Sequence, residues 1–194
     1  ALRRFVPDLN VTKSLLEGKS SAAKSFLQLL SCYTNGTEGY RLRKTLKIEN
    51  NVIYQQILDE CKDFLTNRNG CIYFKYEKDR YFIYQNLSAG ELKYFHALIV
   101  LDFIQSAKIE DFSFTMMDHV LATFDSLNEQ QRDTLLNLFI VIIEKANLSA
   151  AFEYGFQLCS KVIELYGNET LKQNNLECHF YCMATILAFF SKNY

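Results

Sequence analysis

Apolar positions recur three and four residues apart along most of this chain, which is the spacing of one helix face. Val52, Ile53, Ile57, Cys61, Phe64 and Leu65 share such a face, predicting a helix from about Asn51 to Thr66. Asn67-Arg68-Asn69-Gly70 follows, and Gly70 suits a left-handed helix stop. From Ala89 on, the pattern predicts helices at about 90–106, 111–125, 129–146, 149–166 and 174–191. The links, Ala107–Glu110, Ser126–Asn128 and Asn147 with Leu148, are short enough to force antiparallel neighbours. Helices 90–106 and 129–146 are apolar most of the way round, as a helix sandwiched by others is. Phe139 and Ile142 are therefore expected in a core. Ahead of these, Ser20 or Ser21 caps a helix through Tyr33, with Ala23, Phe26, Leu27, Leu29 and Leu30 on its apolar side.

Residues 71–85 break this period. Cys71-Ile-Tyr-Phe-Lys-Tyr76 and Tyr81-Phe-Ile-Tyr-Gln85 are aromatic and β-branched runs around the polar stretch Glu77-Lys-Asp-Arg80. That arrangement predicts a β-hairpin with its turn at 77–80. A lone two-stranded ribbon is marginal, so this one should lie on helices or meet a partner. The expected fold is mostly α, with stacked antiparallel helical hairpins, solenoid-like, and one β-hairpin near 71–85. The expected domain plan is a basic, irregular segment 1–50 with one or two helices, then a helical-repeat body 51–194. The chain reads as a fragment of a longer protein.

Composition supports this reading. The 194 residues include one Pro and seven Gly, too few turn-formers for an all-β sandwich or barrel. Hydrophobic residues make up 49% and charged residues 22%, which excludes a disordered chain. Charge is uneven. Residues 1–47 hold nine Lys/Arg against three Asp/Glu, and the remainder holds 12 against 19. A basic end on an acidic body can steer an acidic partner or dock on its own body. No apolar stretch approaches the roughly 18 residues of a membrane span, so no membrane association is expected.

The six cysteines sit mostly inside apolar helical patterns, as buried free thiols do. Five Asn-x-Ser/Thr sequons, at Asn10, Asn35, Asn86, Asn147 and Asn168, point the other way, to an extracellular glycosylated helical bundle. Local explanations exist: Ser88 with Glu91 makes a capping box, and Asn147 with Ser149 sits at a helix-to-helix turn. A chain this long can build a core without disulfides, so an intracellular location is expected.

Lys108, Asn147 and Asn193 each follow a strongly apolar helix, at separations of 39 and 46 residues, the period of an irregular two-helix repeat. Gly155 to Asn168 resembles the second helix of a tetratricopeptide repeat. Gly155, Cys159 and Val162 stand at that motif's small, bulky and small positions, and Glu164-Leu165 matches its ending. Phe139 and Ile142 suit the preceding helix, whereas Ile143 stands where a small residue belongs and Gly167 replaces the closing Pro. Glu144 to Phe156 also resembles a pentatricopeptide hairpin. The resemblance covers about a fifth of the chain and implies an α-α repeat; armadillo and HEAT-type arrays share the period of about 40 to 47 residues.

No catalytic or metal constellation emerges, and no enzyme activity or cofactor is expected. Cys178, His179 and Cys182 share a helix but lack the second ligand pair of a zinc site, so they read as apolar fillers. Asp118 and His119 adjoin on a helix and point apart. His96 reads as a core histidine. The glycines form neither a phosphate loop nor a dinucleotide fingerprint. Asp59, Glu60 and Asp63 read as a solvated face. What remains is a basic and aromatic set. Arg41, Arg43 and Lys44, with Tyr73, Tyr76, Arg80 and Tyr81, are expected to form a partner-binding surface. Tyr and Arg are favoured at protein interfaces, and single-stranded RNA uses similar surfaces. The expected function is a protein-interaction scaffold; the alternatives are an RNA-binding pentatricopeptide-like repeat and the extracellular bundle. The acidic body argues against a broad nucleic-acid groove.

Overall fold

The computed structural model describes residues 9–106, 112, 114–173 and 175–191. Among these residues 76% are helical, and three short strands form a small antiparallel sheet. Two units divide after Asp102.

The first unit holds α1 (Leu9–Glu17), α2 (Ser21–Ser31), α3 (Gly39–Thr45), α4 (Asn51–Cys61), α5 (Glu77–Gln85) and α6 (Ala89–Ser106), the last continuing past the division. Strands β1 (Thr37–Glu38), β2 (Leu65–Arg68) and β3 (Cys71–Phe74) form the sheet in the order β1-β3-β2. The hub is α2. Ser20 caps it by accepting from the Ala23 amide at 3.2 Å. Ala23, Phe26, Leu27, Leu29 and Leu30 are fully buried because α3, α4 and α5 pack around them. Polar contacts pin the surrounding helices. The Thr12 hydroxyl of α1 donates to the buried Asp79 carboxylate of α5 at 2.8 Å. The Arg80 guanidinium donates to the Ser31 carbonyl at the end of α2, at 2.9 Å.

The hairpin expected at 71–85 is corrected. The hairpin is β2–β3, with Arg68 opposite Cys71 and Leu65 opposite Phe74. Its turn is Asn69-Gly70, with φ of 54° and 84°. Two successive positive φ values define the type I′ turn that Asn-Gly favours, because its twist matches that of the strands. The helix read as Asn51–Thr66 therefore ends at Cys61, and Phe64, in the turn that follows, and Leu65, the first residue of β2, enter the core from outside it. Glu77-Lys-Asp-Arg80 is not a turn but the start of α5, where Glu77 and Asp79 suit the positive end of the helix dipole. Burial of Asp79 and Ile83 overrides the strand preference of Tyr81–Tyr84.

The second unit holds α7 (Phe114–Thr123), a 3-10 turn at Phe124–Ser126, α8 (Glu129–Leu148), α9 (Phe152–Gln173) and α10 (Glu177–Ser191). A capping box between Asn128 and Gln131 starts α8. Gly167, at φ 67° and ψ 160°, interrupts α9 in a region that glycine alone occupies readily. Contacts fix the helix directions. Tyr166, late in α9, donates its hydroxyl to the Arg132 carbonyl, early in α8, at 2.6 Å. Gly155, early in α9, meets Ala146, late in α8, and Leu187, late in α10. The three helices therefore alternate in direction. Phe139 is fully buried and Ile142 4% exposed, with the Phe112 ring edge-on to Phe139 at 5.6 Å. The link expected at Ala107–Glu110 lies outside the described residues, as do Lys108 and Asn193 of the repeat spacing.

Candidate interaction surfaces

Most of the expected basic set is engaged within the first unit. Arg41 is only 8% exposed and its Nε pairs with the Glu38 carboxylate at 3.2 Å. Arg43 donates to the carbonyls of Ile48 and Glu49 at 3.2 and 3.0 Å and lies 4.8 Å from the Tyr54 ring centroid. It thereby closes the loop between α3 and α4. Lys44 pairs with the buried Asp102 carboxylate at 2.8 Å, its own side chain remaining half exposed. Arg80 bonds both Ser31 and Glu77. These cations hold α2, α3 and α6 in place.

The tyrosines divide. Tyr73 is partly buried, its ring against Gly36. Tyr76 and Tyr81 are outward, 59% and 55% exposed, with the Lys78 ammonium 5.5 Å from the Tyr76 ring centroid. The surface that remains at this place is aromatic, with Lys75 and Lys78 exposed beside it.

A larger apolar surface lies on α10 in the second unit. Phe180 and Leu187 are fully buried. Cys159 Sγ of α9 donates to the Phe180 carbonyl at 3.1 Å, and burial raises that thiol to about 11. On the opposite side Cys178, Cys182, Thr185 and Phe189 form an exposed stripe, spaced four, three and four apart. Tyr181 and Ile186, each 42% exposed, flank it, and Phe189 is 64% exposed. No Asp, Glu, Lys or Arg occurs from Cys178 to Ser191. The Tyr181 hydroxyl donates to Asn168 Oδ1 at 2.7 Å, and the Phe190 ring stacks on Phe152 at 5.0 Å, so both rings are held. The expectation that Cys178 and Cys182 are packed fillers is corrected: both are exposed. A helix apolar all round carries no period to say which side packs, and the lack of charge was the only signal.

A cleft of about 750 Å³ lies between α8 and α9, lined by Phe124, Glu129, Arg132, Asp133, Leu165 and Tyr166. The Arg132 guanidinium lies 4.7 Å from the Phe124 ring centroid, and burial raises the Tyr166 phenol. The Arg132 guanidinium and the carboxylates of Glu129 and Asp133 line the same cleft. Among the described residues no group of three His, Cys, Asp or Glu is placed to hold a metal ion, and no helix is long and apolar enough to cross a membrane.

Comparison of the chain with protein-family models, with curated proteins and with solved structures finds no match.

Proposed function

We propose that this chain is a non-catalytic protein-interaction scaffold, a helical-repeat module that docks a partner through the outer face of α10. One observation carries the reading: an exposed face of Cys178, Tyr181, Cys182, Thr185, Ile186 and Phe189 runs along α10 without a charged residue, opposite the buried Phe180 and Leu187. Contiguous exposed apolar surface marks interaction sites, since singly scattered apolar residues need no explanation and a stripe does. The alternating α8, α9 and α10 support a solenoid-like arrangement, in which each helical pair leaves a face for the next element. The module is taken to work inside the cell, where Cys178 and Cys182 stay reduced.

The partner surface first expected at Arg41, Arg43, Lys44 and Arg80 moves to a secondary place, because those cations already have intramolecular counterparts. The same fact weakens the RNA-binding alternative, which needs cations available to phosphates.

A hydrophobic fluorescent dye titrated onto the native chain tests the reading. Dye should bind the wild type, and Ile186→Glu should abolish that binding with the circular dichroism spectrum unchanged. Leu148→Glu, at a residue 86% exposed elsewhere in the second unit, should leave dye binding as it was. Measured at high dilution, where self-association is least, equal dye binding by wild type and Ile186→Glu, or none by either, overturns the α10 assignment. Tight single-stranded RNA binding that falls steeply with salt would favour the alternative.

A further inference from the structure

Resting on that reading, we infer that the occupant of the α10 face is a second copy of this chain, its α10 running antiparallel to the first across a two-fold axis. The pattern of sizes along the stripe carries this. Small residues, Cys178 and Cys182, occupy its N-terminal half, Thr185 lies beyond the midpoint, and Phe189 stands at the C-terminal end. Turned end to end, the stripe fits itself. Cys178 comes opposite Phe189 of the second copy, Cys182 opposite Thr185, and Tyr181 opposite Ile186. Large meets small at both ends, and the small central pairs let the helices approach closely. A parallel pair would instead set Phe189 against Phe189 and leave the cysteine end gaping.

Charge and area agree. An isologous contact puts each residue type near its own kind or its two-fold mate, so a charged stripe would repel itself. This one carries no charge from Cys178 to Ser191. Antiparallel pairing also sets the positive end of one helix dipole beside the negative end of the other. The exposed parts of the stripe and its flanks come to roughly 450 Å² per copy, taking 150–250 Å² for a whole aromatic side chain. Two copies bury about 900 Å², just under the ~1,000 Å² of a specific interface, so the dimer is weak and depends on concentration. Tyr181 and Phe190 are already fixed by Asn168 and Phe152, which lowers the ordering cost of such a contact.

Sedimentation velocity across a concentration series, with short thiol-to-thiol cross-linking, tests the inference. The wild type should pass from monomer to dimer, and Thr185→Lys, which sets two ammonium groups at the axis, should hold it monomeric. Ile186→Glu should do the same, and unchanged circular dichroism checks that both variants fold. In a Cys71→Ser background, Cys182 lies about 4.5 Å along the axis from its mate and Cys178 about 16 Å from its mate, at 1.5 Å per residue. A short bifunctional maleimide should therefore link copies through Cys182 when Cys178 is Ser, and fail through Cys178 when Cys182 is Ser. Equal linking through both cysteines means a parallel pair and overturns the antiparallel assignment. A wild type monomeric at every concentration, or a dimer indifferent to Thr185→Lys and Ile186→Glu, overturns the inference. If that monomer still binds dye through Ile186, the interaction reading stands and only the second copy falls.

Discussion

Gly155 of α9 lies against Leu187 of α10 with no room between them: a Cβ built on the glycine would stand 3.1 Å from Leu187 Cδ2 and 3.2 Å from the Ala146 Cβ. Gly155 thus lets α9 approach α8 on one side and α10 on the other. Leu187 is a flexible neighbour, but the Ala146 Cβ moves only with its backbone. Gly155→Leu gains helix propensity of less than about 1 kcal/mol. Overpacking should outweigh that and lower stability by about 1 to 3 kcal/mol. A urea midpoint followed by circular dichroism reads the change; a midpoint that stays or rises would show that the helices do not cross this closely.

Lys44 is a structural cation. Asp102 is 7% exposed and takes the Lys44 ammonium at 2.8 Å, with Tyr33 and Arg41 within its electrostatic reach. Lys44→Ala leaves the carboxylate without this partner. Removal of one member of a buried pair costs 3 to 5 kcal/mol, but Lys44 is half exposed and water screens the loss, so about 1 to 2 kcal/mol is expected. Asp102→Asn in the Lys44→Ala background should return part of it. Strict additivity of the two substitutions would argue against a direct interaction.

What the sequence made legible follows from the physics of each signal. The last five helices were legible because apolar spacing persists through many turns and caps such as Ser88 with Glu91 are local. The sheet was misplaced because Asn69-Gly70 carries two meanings, helix stop and hairpin turn, and the preceding apolar face extended through Phe64 and Leu65. Only the pairing of Leu65 with Phe74, across that turn, decides between them. The basic residues suggested a surface because charge is visible in a sequence and its counterpart is not. Lys44 and Asp102 are 58 residues apart, and no local pattern joins them. The α10 face stayed hidden for the opposite reason: uniform apolar character conceals which side is covered.

Thiol accessibility separates the cysteines. Cys178 and Cys182 are exposed, Cys71 partly so, and Cys32, Cys61 and Cys159 buried. A maleimide at neutral pH should label Cys178 and Cys182 first in the native chain, and the buried three only on unfolding. Labelling of Cys182 should slow as protein concentration rises, because pairing covers it. Mass spectrometry of labelled peptides reads both effects. Rapid native labelling of Cys61 would contradict its placement beneath α2.

Stability at alkaline pH should depend on Cys61. Its side chain is fully buried, its Sγ donates to the Ala23 carbonyl of α2 at 3.7 Å, and burial raises the thiol from 9.0 to about 12. Nearby Lys19 opposes the shift and Glu60 adds to it. Cys32, buried as well, is raised to about 12. The raised value means that the folded chain holds this proton more tightly than the unfolded one. Below pH 9 both states are protonated and the contribution to stability is whole. As pH rises above 9, the unfolded chain releases its proton first and gains on the folded chain. The contribution is gone once pH passes about 12, where the folded thiol also ionises. Denaturant titrations at steps across this window should show stability falling with pH. Cys61→Ala should lower stability at neutral pH, through the lost sulfur contacts, yet make the alkaline decline shallower. Tyrosines and lysines that titrate in the same range decline alike in both proteins, so the difference between them isolates the thiol. An identical slope in wild type and Cys61→Ala would show that this thiol ionises as readily folded as unfolded, which burial against α2 forbids.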